Sequence, residues 1–218
     1  MRFVLVHGAW LGGWTWERLR LELDSRGHEA LAPDLPCDTV GLRQDDYAVL
    51  IGPQPGAVLV GHSLGGLTAS LVEASLRVYL APILPVEGAY DRFLRPGFGG
   101  IRRDEQGRSY WPDLETAASR LMPDCDGGTT AWAFERLRPQ APLDSHGGEL
   151  SPHDVVIACT RDVAIDPASF AGLSLRVAEL DAGHFPMLTH PRELADALEK
   201  LALVRPAGEA DDRPRGDP

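Results

Sequence analysis

Apolar positions along the chain fall into short blocks, and their spacing separates strands from helices. Residues 2–6, 28–32, 57–60, 77–81, 154–159 and 175–180 are brief, apolar or β-branched stretches bounded by Gly, Pro or Asp, which reads as a series of strands. Between them the period changes. Residues 14–26 carry Trp16, Leu19, Leu21 and Leu23 among charges, an amphipathic helix that Gly27 closes. A short helix is predicted over 43–50, another from the Gly65 region to about 76, and a last one over 191–204 with Leu194, Leu198 and Leu201 on one face. From 85 to 151 the pattern loosens into Gly, Pro, Arg and Asp with scattered aromatics, leaving helical pieces at 113–121 and 129–137 and no strand series. Residues 205–218 are rich in Pro, Gly, Asp and Arg and read as a disordered tail.

Strands alternating with helices imply an α/β fold with a mostly parallel sheet and helices on both faces. The expected organisation is one domain over 1–204, in which 85–151 is a cap inserted over the carboxyl edge of the sheet, where ligands bind in such folds.

Composition narrows the partners. The 218 residues suffice for one sizeable core, and 44% hydrophobic against 24% charged residues is ordinary for a globular protein. A formal charge of −11 disfavours nucleic acid and anionic membrane. No apolar run approaches a membrane span, and the opening Met1-Arg2-Phe3-Val4-Leu5-Val6-His7-Gly8 reads as a strand, too short for a signal peptide. Cys37, Cys125 and Cys159 are odd in number and far apart, so neither a disulfide framework nor a metal cluster is expected, and the cytoplasm is the default location.

The chemistry centres on Gly61-His62-Ser63-Leu64-Gly65, a G-x-S-x-G elbow placed between a strand and a helix. Ser63 is the candidate nucleophile at a strained backbone position, with glycines where side chains would collide with neighbouring elements. A serine hydroxyl needs a base, and the base an orienting acid. In this architecture they follow in the order Ser, Asp or Glu, His. His184, between the last strand and the last helix, is the candidate base; His62 points elsewhere because of the turn, and the other histidines lie at less suitable places. Asp162, just past the penultimate strand, is the favoured acid, with Asp166 and Glu87 left open. The oxyanion hole would use the N–H groups of Leu64, after the nucleophile, and Ala9, in the Gly-rich loop after the first strand.

The motifs His7-Gly8-Ala9-Trp10-Leu11-Gly12-Gly13-Trp14-Thr15-Trp16, Gly61-His62-Ser63-Leu64-Gly65-Gly66, Cys159-Thr160-Arg161-Asp162 and Ala182-Gly183-His184-Phe185-Pro186-Met187-Leu188 resemble the α/β-hydrolase superfamily. Within it they are most similar to the branch of plant methylesterases, salicylate-binding esterases and hydroxynitrile lyases, with its small bacterial relatives. The resemblance implies a Ser63–Asp162–His184 triad, an oxyanion hole from Ala9 and Leu64, and no cofactor. The chain is shorter than typical members, with a trimmed segment between Pro33 and Gly56. It also lacks the two marks of the lyases: a Thr where Gly8 stands and a Lys where Phe185 stands.

The leading expectation is a serine esterase acting on a small-molecule carboxylic ester; thioesters and lactones suit the same machinery. A non-hydrolytic cyclase or lyase of natural-product metabolism and a slow-turnover ligand receptor are the alternatives. Trp10, Trp111 and Trp132 are candidates for the substrate pocket, against the competing reading that they pack a small core within the cap. The oligomeric state is open, a homodimer included.

Overall fold

The computed structural model describes residues 1–203. The tail expected at 205–218 lies outside the described residues. Six strands form one sheet: β1 (Arg2–Val6), β2 (Glu29–Leu31), β3 (Gln54–His62), β4 (Ala74–Leu80), β7 (Val155–Cys159) and β8 (Arg176–Leu180). Their order is β2-β1-β3-β4-β7-β8, and every pairing is parallel. Strand β1 is the pivot. The chain leaves it to build β2 on one side, then returns to build β3 on the other, so the loops after β1 and β3 meet at the carboxyl edge.

Alternation along the strands makes the two layers of core. Phe3, Leu5, Val58, Val60, Val155 and Ile157 face one side, against α1 (Glu17–Ser25) and α8 (Pro191–Leu203). Val4, Val6, Leu59, Tyr79, Val156 and Ala158 face the other, against α2 (Gln44–Ile51) and α3 (Gly65–Ser70). Burial on both faces explains why these strands read as apolar runs. Helix α8 buries Leu194, Leu198 and Leu201, the stripe its sequence shows. Gly27 adopts φ +78° just past α1, the left-handed turn a glycine tolerates best.

Two elements differ from expectation. The helix after the elbow stops at Ser70 instead of near 76, and β4 begins at Ala74. The reason is tertiary. Strand β4 pairs with β3 from the Gln54–Ala74 pair onward, and Arg77 donates to the Ser70 carbonyl, so the residues after Ser70 are recruited into the sheet. The irregular stretch between β4 and β7 also contains strands, though tiny ones. Antiparallel β5 (Arg102–Arg103) and β6 (Ser109–Tyr110) form a hairpin beside α4 (Ala89–Phe93), α5 (Leu114–Arg120) and α6 (Gly127–Phe134). Asp113 and Asp126 cap the last two helices through side-chain bonds to the N–H groups of Thr116 and Thr129. Among the described residues no helix is long and apolar enough to cross a membrane.

Candidate active site

Ser63 closes β3 with φ +52°, a left-handed conformation that is costly for a side chain with a Cβ. Three backbone bonds hold it there. Its N–H donates to Leu80 O (3.1 Å), and its carbonyl accepts from the N–H groups of Gly66 and Ile83 (both 3.0 Å). The flanking glycines allow the close packing this requires. A Cβ on Gly61 would sit 2.7 Å from Gly65 O, and one on Gly65 would sit 2.5 Å from His7 O.

The loop after β1 is pinned by its own histidine. His7 is buried; its Nε2 accepts from the Leu35 N–H (3.0 Å) and its Nδ1–H donates to Gly8 O (2.9 Å). Burial lowers its pKa to about 4, so the ring is neutral at physiological pH. Arg138 fastens the same loop: its backbone N–H donates to Trp10 O, and its guanidinium donates to Leu11 O and Leu35 O. Gly8 presses against the elbow, where an added Cβ would lie 2.9 Å from Ser63 Cβ.

His184 sits between β8 and α7 (Pro186–Thr189), almost wholly buried. Its Nδ1 is 2.7 Å from Asp162 Oδ2. The other Asp162 oxygen accepts the N–H groups of Ala164 (2.7 Å) and Ile165 (2.9 Å), so the carboxylate cannot rotate without breaking two bonds. Of the two other acids, Asp166 caps the 3₁₀ turn Pro167–Phe170 through Ala168 N–H, and Glu87 is exposed. With Nδ1 taken, Nε2 is the His184 nitrogen left for a proton from substrate or nucleophile. Ser63 Oγ and His184 are not hydrogen-bonded to each other among the described residues, but both line one cavity. Catalytic hydrogen bonds often tighten only when substrate is present.

Two residues that position His184 are not evident from sequence. His62 does not simply turn away. Its Nε2–H donates to the His184 carbonyl (2.9 Å), and the two rings lie 4.6 Å apart. Complete burial, then the neighbouring His184, lowers the His62 pKa well below the usual range, which keeps it a neutral donor. Asp124, from the segment between β4 and β7, accepts the Gly183 N–H (3.0 Å) one residue before His184. Phe185 packs against both the His62 and His184 rings and is buried, so no cation stands beside His184 at that position.

The cavity has a volume of about 370 Å³ and is lined at its base by Ala9, Ser63, Leu64 and His184. Trp10, at φ +65°, forms part of its wall, and its Nε1–H donates to Ser109 O and Oγ. The other two tryptophans do not line it, which corrects the sequence expectation. Trp111 is buried behind Trp10 in an edge-on contact at 5.4 Å and also packs against Phe98. Trp132 packs edge-on against Trp14 at 5.2 Å, with the Arg136 guanidinium over its ring. A second hollow, about 350 Å³, lies at the amino edge of the sheet between residues 70–77 and Asp154, away from Ser63. Among the described residues no group of three or more His, Cys, Asp or Glu side chains is placed to hold a metal ion.

Comparison with known proteins agrees with this architecture. Residues 3–197 match the alpha/beta hydrolase family. Salicylic acid-binding protein 2 of Nicotiana tabacum is 34% identical, over 92% of this chain and 96% of its own. Norfluorocurarine synthase 2 of a Strychnos species is 37% identical, over 91% and 94%. A methylesterase of Arabidopsis has a similar solved structure, with TM-score 0.72 and 22% identity over 93% of this chain and 98% of that one. The chain belongs to the alpha/beta hydrolase family, alongside salicylic acid-binding protein 2.

Proposed function

We propose that this hydrolase cleaves a small-molecule carboxylic ester through an acyl-enzyme on Ser63. The observation that carries the reading is the buried His184–Asp162 pair at 2.7 Å, opening onto the same cavity as the strained Ser63. In the first half-reaction Ser63 Oγ attacks the carbonyl and gives its proton to His184 Nε2. The N–H groups of Ala9 and Leu64 receive the oxyanion. The imidazolium, steadied by Asp162, then protonates the departing alcohol. In the second half-reaction a water gives its proton to Nε2 and its oxygen to the acyl carbon, which frees the acid and restores Ser63. Residues 85–151 would act as the cap that shapes the pocket. Three free cysteines, Cys37 and Cys159 among them buried, agree with a reducing compartment such as the cytoplasm.

Hydrolysis is favoured over cyanohydrin cleavage by two contacts. A side chain at Gly8 would strike Ser63, and Phe185 puts an aromatic ring, not a cation, against His184. The similarity to a protein named norfluorocurarine synthase 2 motivates a second reading, a non-hydrolytic conversion at the same site. The test is turnover of p-nitrophenyl acetate and of mandelonitrile beside a Ser63→Ala control. Ser63-dependent phenol release is expected. Ser63-dependent cyanide release without ester turnover would overturn the proposal.

A further inference from the structure

The cavity has few polar side chains, and most of them are already engaged with the protein. Ser109 Oγ accepts from Trp10 Nε1 and donates to Gln140 O. Gln140 Nε2 donates to Ala141 O, and the Tyr90 hydroxyl donates to Leu143 O. The exception is Arg103 on the hairpin. It lines the cavity, yet its one hydrogen bond runs from Nη1 to Gly107 O, and it has no ion pair among the described residues. Its Nε–H and Nη2 donors are therefore available. Among the described residues no acidic side chain lines the cavity with it. Ser109, its cross-strand partner, is bonded to Trp10, the neighbour of Ala9, so Arg103 stands on the solvent-exposed rim of the wall that carries the oxyanion loop.

Building on the ester-hydrolase reading above, we propose that the preferred substrate is an ester with a second, free carboxylate. Its apolar body lies against Trp10, Phe98 and Ile101 while the carboxylate pairs with Arg103. Arg is suited to this task because its fork of N–H donors matches the two oxygens of a carboxylate. The need for such a residue is sharpened by the chain's formal charge of −11, which repels anions from most of the surface. Arg103 is thus a specificity residue and takes no part in the bond changes. Hydrolysis consumes one water per ester and releases an alcohol and an acid, and the carboxylate on Arg103 is unchanged throughout.

The test pairs 4-acetoxybenzoate with neutral 4-tolyl acetate, using wild type, Arg103→Gln and Arg103→Lys. Arg103→Gln should lower kcat/KM for the anionic ester about fivefold, mainly through KM, and leave the neutral ester within about twofold, as expected for one solvent-exposed ion pair. Arg103→Lys should retain part of the preference, and added salt should shrink it. A second arm measures binding without chemistry: calorimetry of the ketones 4-acetylbenzoate and 4-methylacetophenone with Ser63→Ala, with and without Arg103→Gln. Only the anionic ketone should lose affinity. Equal effects on both members of each pair, or no binding of the anionic ketone, overturn the carboxylate proposal. Arg103-dependent binding without Ser63-dependent turnover would instead overturn the hydrolase reading and leave the ligand preference standing.

Discussion

Replacing Asp162 by Asn tests the centre of the mechanism, because the structure fixes how the new amide must sit. Asp162 Oδ1 accepts two backbone N–H groups, from Ala164 and Ile165, and Oδ2 faces His184 Nδ1. In Asp162→Asn the amide oxygen must stay on the two N–H donors, since turning the NH₂ toward them would leave buried donors facing donors. The NH₂ then points at His184 Nδ1, which can only accept. The ring's proton moves to Nε2, and the nitrogen that should take the Ser63 proton already carries one. The expected loss in kcat is on the order of 10⁴, or about 5 kcal/mol of transition-state stabilisation. The fold should persist, at a cost of about 1–2 kcal/mol for weaker bonds to the two N–H groups. Ester turnover by purified protein reads the first quantity and denaturant unfolding the second. Nitrogen-15 NMR of the imidazole reads the tautomer itself. Asp166→Asn is the control and should keep most of the wild-type kcat. A kcat for Asp162→Asn within tenfold of wild type, or a loss of activity with the Nδ1–H tautomer still present, would refute the reasoning.

Other substitutions probe the surroundings. His7 has a folded pKa of about 4 against 6.5 for the free side chain, so the unfolded chain binds the extra proton between these values. Its contribution, at most about 3 kcal/mol, is full above pH 6.5 and lost as pH falls toward 4; His7→Asn should flatten the pH dependence of unfolding free energy in that window. Gly8→Thr places atoms against Ser63 Cβ and His62 O, and should cost about 1–3 kcal/mol of stability and nearly all ester turnover; an active, stable Gly8→Thr variant would show that the loop yields. Trp132→Ala should lower Tm yet leave KM near wild type, since Trp132 packs on Trp14 outside the cavity, whereas Trp10→Ala should raise KM.

Much of the sheet was legible because strands buried on both faces have few ways to appear in a sequence. Val4, Leu5 and Val6, or Val155, Val156 and Ile157, are apolar at successive positions since each face meets a helix layer. That Ser63 and His184 stand at one cavity was legible because the elbow and the chain order constrain their places. The end of α3 was not, since the apolar spacing of 65–76 continues smoothly through Ser70 and only pairing with β3 turns Ala74 into a strand. The roles of His62 and Asp124 arise from contacts with residues 122 and 59 positions away, which no local pattern encodes. The cavity wall was the least legible part. A tryptophan's sequence neighbours do not reveal whether it lines a cavity, as Trp10 does, or packs on other rings outside it, as Trp111 and Trp132 do.

The pivot position of β1 has a bearing on how the chain matures. The geometry at Ser63 depends on β4 through Leu80 O, and on β1 through the close approach of Gly65 to His7. His184 arrives later in the chain and needs the parallel β7–β8 pair, since Asp162 and His184 stand just past the ends of those strands. All of these pairings are parallel and non-local, the slowest kind of contact to form. No truncated intermediate can assemble nucleophile and base together, because the last strand delivers the imidazole. Recovery of turnover during refolding should therefore trail the return of helical circular dichroism, so that enzymatic competence marks the final ordering of the sheet. A nascent chain emerging from the ribosome would stay inert toward esters until residues beyond His184 are free to pack.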